Sequence, residues 1–165
     1  MSDRPSRLWK DMPVEKRVMA AEAFWRDTES AEIQAQHAEA LLMLARRLNF
    51  RPKTLQSLSI DRRARHLAQV GDVSDAIATR ALIAYHFAAQ RPLMGAFLDA
   101  LGIAHENGLI ADESLAAPSA DRIAAAAETV RSSFDAGDVD LYLRTLAALD
   151  GETWANLTPL LQPAN

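Results

Sequence analysis

Residues 74–90 read SDAIATRALIAYHFAAQ, and this stretch decides the fold class. Ser74 is a good helix N-cap, because its hydroxyl can accept from a free amide of the first turn. Beyond it only Asp75, Thr79, Arg80, His86 and Gln90 are clearly polar. Apolar groups then surround most of the helix circumference, which predicts a central helix covered by neighbours on several sides.

Working toward the C-terminus, Pro92 ends that helix and opens another to about Leu101, where Gly102 followed by Ile103 suits a left-handed cap. The stretch 103–118 is the least helical, and Asn107-Gly108 is a strong turn signal inside it. Ser119 caps a helix to about Ala136, Gly137 stops it, and Asp138 caps the next. A last short helix from about Glu152 carries Trp154, Leu157, Leu160 and Leu161, which either close the core, the favoured reading, or dock onto another copy of the chain.

Working toward the N-terminus, Ser59 caps a helix from Ile60 to about Val70, with Gly71 as its stop, and Pro52 opens a shorter one. The longest helix spans about 30–48, with Ile33, Ala40, Leu41, Leu44, Ala45 and Leu48 on one stripe and Leu42 and Met43 widening it. Pro13 starts a helix to about Arg26 whose apolar residues are Val14, Val18, Ala21, Phe24 and Trp25. Residues 1–12, in which Leu8 and Trp9 are the only large apolar side chains apart from the methionines, read as a flexible arm. The expectation is an all-α protein: one compact domain over 13–165, an orthogonal or irregular bundle of seven to nine helices with a very short hairpin near 103–110. A chain of 165 residues is long enough for one substantial core.

Composition narrows the chemistry. No cysteine is present, so disulfides, thiolate metal sites and thiol catalysis are excluded. No signal-peptide core and no apolar run of spanning length is found, and the expected setting is soluble and cytoplasmic, without a membrane partner. The net charge of −4 is unevenly distributed: residues 46–66 hold 7 basic and 1 acidic groups, residues 96–165 hold 3 and 11. Such segments attract partners of opposite charge, including a second copy of the chain.

The histidines are the residues best placed for chemistry near neutrality. His37 falls between Ile33 and Leu41 on an apolar stripe and His86 lies on the central helix, so a polar pocket with Tyr85 and Arg80 would form if the two helices met. Such a pocket could take a small ligand, an anion or a metal ion. The competing reading is two core histidines satisfied by local partners. Neither Glu-x-x-His nor His-x-x-x-His spacing occurs, so no metal site and no cofactor are assigned. His105 and Glu106 flank the Asn107-Gly108 turn, either as ligand contacts or as parts of the turn itself.

Arg46, Arg47, Arg51, Lys53, Arg62, Arg63 and Arg65 form the basic stretch. Guanidinium groups of this density can hold phosphates or carboxylates. Phe50 is the sole aromatic within the stretch, leaving no stacking platform for bases, so phosphate or RNA binding is the weakest reading and nucleic acid the least favoured partner. No phosphate loop and no nucleophile elbow is present. The reading therefore favours a non-enzymatic protein-interaction or assembly module, with homodimerisation as one form of it, over a small-ligand or metal-binding bundle. Its contact face is the arginine-rich stretch.

Overall fold

The computed structural model describes residues 3–161. Among them are ten α-helices, one two-stranded antiparallel sheet and a single 3-10 turn. The all-α class and the very short hairpin are as expected. Contacts group the chain into two compact units, Pro5–Tyr85 and His86–Asn165 with Met1–Arg4, where the sequence reading draws one domain over 13–165.

The Pro5–Tyr85 unit opens with α1 (Pro5–Asp11). This helix lies inside the stretch read as a flexible arm, and the physical reason is Trp9. Its side chain is 0% exposed and its Nε1 donates to the Val70 carbonyl at 2.8 Å, so the indole has both apolar cover and a partner for its polar edge. The arm reading failed because two apolar residues cannot show helical periodicity by themselves. Next come α2 (Val14–Arg26), α3 (Ala31–Leu48), α4 (Pro52–Ser57) and α5 (Ile60–Ala68). Ser59 caps where the sequence places it, accepting from the Arg62 amide, and Ser30 does the same for α3 by accepting from the Ile33 amide. Asn49 closes α3 at φ 55, the left-handed geometry that asparagine tolerates better than most residues.

Helix α2 packs along α5, presenting Ala20, Ala21, Phe24 and Trp25 to Ala64, Leu67 and Ala68. Small alanines on both helices let the backbones approach. Helix α3 buries Ile33, Ala40, Leu44 and Ala45, but Leu42, read as part of the same stripe, is 50% exposed. Next, α6 (Asp75–Ala89) starts at a Ser74 cap that accepts from the Ile77 amide at 3.2 Å. Its buried residues are Ile77, Ala78, Ala81, Leu82, Tyr85 and His86, whereas Ala76 and Ala88 are exposed. The unit boundary falls within this helix.

The other unit contains α7 (Arg91–Leu101), β1 (His105–Glu106), β2 (Leu109–Ile110), α8 (Ala120–Arg131), α9 (Ala136–Leu149) and α10 (Thr158–Leu161). Helix α7 packs on α8, and their core includes Leu93, Phe97, Leu98, Ile123, Ala127, Val130, Tyr142 and Leu143. Trp154, Leu157 and Leu161 belong to this same core, so the C-terminal segment does close it. Gly102 caps α7 at φ 70, and Ile103 donates to the Leu98 carbonyl, the left-handed closure expected there.

The boundary between α8 and α9 differs from the sequence reading. Helix α8 ends at Arg131 and α9 begins at Ala136, because Asp135 is the cap, its carboxylate accepting from the Asp138 amide at 3.1 Å. Gly137 therefore sits in a first turn and Asp138 is not the cap. A glycine followed by an aspartate carries the same local signal in either register.

Candidate functional site

His37 lies on α3 against α2. Its Nε2 donates to the Phe24 carbonyl at 2.6 Å, and its ring meets those of Phe24 and Trp25 at centroid distances of 4.7 and 5.2 Å. Burial pushes the imidazole pKa down from its ordinary value. The bond to the Phe24 carbonyl opposes the shift, the Arg63 cation adds to it, and Asp27 opposes it. Arg63, from α5, stacks its guanidinium 5.1 Å from the Trp25 ring centroid. Removal from water pulls its pKa down as well. His37 and Arg63 thus belong to one aromatic cluster, a grouping the sequence reading did not foresee because Arg63 was assigned to the basic face.

Tyr85 is buried, and Arg80 reaches Glu32 at 3.3 Å. His86 belongs to the unit that begins with it, where its Nε2 lies 3.1 Å from the Thr145 hydroxyl and its ring is edge-on to Tyr142. Burial raises the Tyr142 hydroxyl well above the usual tyrosine range. His37 and His86 therefore stand in different units, each with partners of its own.

The His105 turn is closely connected. Nε2 donates to Asp99 at 2.8 Å, and Nδ1 accepts from the Gly108 amide at 3.0 Å. Both ring nitrogens are then engaged, which leaves no lone pair for a general base. A Cβ on Gly95 would come 3.3 Å from His105 Cε1, so the ring rests on a helix surface cleared by that glycine. Asn107 at φ 51 and Gly108 at φ 93 form the turn, Glu106 is exposed opposite Leu109, and Arg91 donates to the Asn107 carbonyl at 2.7 Å.

The basic stretch divides by environment. Arg63 is half-buried over Trp25, and Arg65 pairs with Asp61 one turn earlier at 3.4 Å. Arg46, Arg47, Arg51, Lys53 and Arg62 are exposed, and none forms an ion pair with a carboxylate at contact distance among the described residues. Two exposed apolar side chains accompany them, Leu42 and Phe50, the latter 42% exposed and edge-on to His66.

An open surface hollow of about 550 Å³ lies on this part of the molecule, lined by Glu39, Leu42, Met43, Arg46, Arg47, Val70 and Asp72. Asp72 is held ionised by Lys10, which donates to it at 2.9 Å, and by the nearby Arg47. A second hollow, of about 440 Å³, is lined by Ser6, Arg7, Lys10, Asp11, Asp72 and Val73. Neither is lined by a histidine. The first was legible only in part. Leu42 sits two positions from Ala40 and Leu44, so it points off the buried stripe, but a wide apolar face explains it equally well until the neighbours are placed.

No group of three histidine or carboxylate side chains able to hold a metal ion occurs among the described residues, and none of their helices is long and apolar enough to cross a membrane. Comparison with protein-family models, curated proteins and solved structures returns no match.

Proposed function

We propose that this chain is a non-enzymatic helical interaction module whose contact face is the basic stretch of residues 46–66. One observation carries the reading. Arg46, Arg47, Arg51, Lys53 and Arg62 are exposed without ion-pair partners among the described residues, beside the exposed apolar groups Leu42 and Phe50. Cations in water attract little by themselves, but next to an apolar surface they select and orient an acidic partner while burial of the apolar groups supplies affinity. His37, His86 and His105 support the same reading, since each is engaged by its own fold: His37 by Phe24, His86 by Thr145, His105 by Asp99 and Gly108.

The test is site-specific crosslinking in the protein's own cells. A photoreactive residue in place of Lys53 should form adducts with one or a few protein species, a second copy of the chain counting among them. Arg46→Glu with Arg62→Glu should remove those adducts, and raised salt should weaken them. Adducts indifferent to both changes would sink the proposal, as would retained nucleic acid that the charge reversal releases.

A further inference from the structure

The hollow on α3 has a counterpart in apolar character and charge elsewhere on the same chain. On the hollow, Leu42, Met43 and Val70 supply apolar surface while Arg46 and Arg47 supply positive charge. Of its two carboxylates, Asp72 is already paired with Lys10 and lies near Arg47, so the two guanidinium groups and Lys10 together outnumber Asp72 and Glu39. The counterpart is the β1–β2 hairpin. Leu109 is 57% exposed, the highest value among the exposed large hydrophobic residues described. Glu106 is its cross-strand partner, which places both side chains on one face of the hairpin. Asp112 and Glu113 follow directly in the chain and are exposed too.

The hairpin therefore presents one leucine beside Glu106, with two more exposed carboxylates just past its second strand, and the hollow presents an apolar floor with two arginines. We infer that the hollow receives the Leu109 hairpin of a second copy of this chain, Glu106 and Glu113 meeting Arg46 and Arg47. This rests on the basic face being a protein-docking surface and names its occupant. Several features argue for a second copy over an unrelated acidic helix. The positive excess of residues 46–66 is matched by the negative excess of residues 96–165, and the hairpin is held rigid by His105, clasped between Asp99 and Gly108. A preorganised knob loses little conformational freedom on docking. One leucine with a few charges makes a small interface, so the association is weak, reversible and sensitive to salt.

The two surfaces are different patches, so each copy offers one of each, and the association either closes as a reciprocal pair or extends head to tail. Sedimentation of the full chain reads this directly. The native protein should gain mass as its concentration rises in low salt and lose that gain in raised salt.

Two charge-reversed proteins make the test specific. In Arg46→Glu/Arg47→Glu both patches are acidic; in Glu106→Lys/Glu113→Lys both are basic. Each alone should remain monomeric, with native helicity by circular dichroism, because all four side chains are exposed. Mixed together, they should associate, since each then meets its opposite. Leu109→Ser should weaken association without altering charge. A native chain that stays monomeric throughout, or a mixture that fails to associate, overturns the inference. If crosslinking at Lys53 still captures an identified acidic protein, lost in the arginine variant and kept in the hairpin variant, the docking face stands and only its assignment to a second copy falls.

Discussion

His86 presents its Nε2 to the Thr145 hydroxyl at 3.1 Å, and that hydroxyl donates in turn to the Leu141 carbonyl at 2.7 Å. Thr145 gives its only proton to the helix, so it can only accept from the imidazole, which must carry its proton on Nε2. Thr145→Val keeps the shape and strands that N–H in a buried place. The expected loss is about 1–3 kcal/mol in urea unfolding. Thr145→Ser, which keeps the oxygen, should lose clearly less.

Trp9 ties α1 to the backbone at Val70. Trp9→Ala removes a fully buried indole and should cost about 3–5 kcal/mol. Trp9→Phe retains most of the apolar contact but leaves the Val70 carbonyl without its donor, for a smaller loss of about 1–3 kcal/mol. A chain lacking residues 1–12 should then melt well below the native protein. Equal melting temperatures would return this stretch to a dispensable arm.

His37 makes stability depend on pH. Its pKa is lower folded than unfolded, so below the ordinary value of 6.5 the unfolded chain binds the proton more readily. The contribution of the neutral ring is complete above that value and is lost as pH falls through it toward the folded pKa. Between about pH 7.5 and about pH 5.5, the urea midpoint of the native chain should drop further than that of His37→Gln. Parallel curves would show that the ring titrates alike in both states.

Gly108 has two reasons to be glycine. Its φ is +93, and a Cβ there would lie 3.1 Å from the Met94 Cβ. Gly108→Ala should destabilise by more than about 1 kcal/mol. Gly95→Ala, whose Cβ would meet only the edge of the His105 ring at 3.3 Å, should cost less, and the two unfolding curves give the comparison.

The helices were legible because their signals are local. Ser30, Ser59, Ser74 and Ser119 each accept from the amide three residues on, and Gly102 takes the left-handed cap assigned to it. Where two registers carry equal local signal, as at Asp135 and Asp138, the reading chose the wrong cap. Helix α1 was invisible for another reason: its anchor, Trp9, is explained only by a carbonyl sixty-one residues away.

The candidate sites show the same division. That His37 faces inward followed from its spacing between Ile33 and Leu41, and the chain's uneven charge could be counted directly. Whether an imidazole is free or engaged depends on groups such as Phe24, Thr145 and Asp99, whose approach is set by packing. By itself the sequence determined the all-α class, most helix limits and a basic segment opposed by an acidic one, since periodicity, caps and charge are properties of neighbouring residues. Only the tertiary structure decided that Arg63 turns inward over Trp25 while Leu42 is left outside beside Arg46, because burial is assigned by which helices pack together, and that is not written in any one helix.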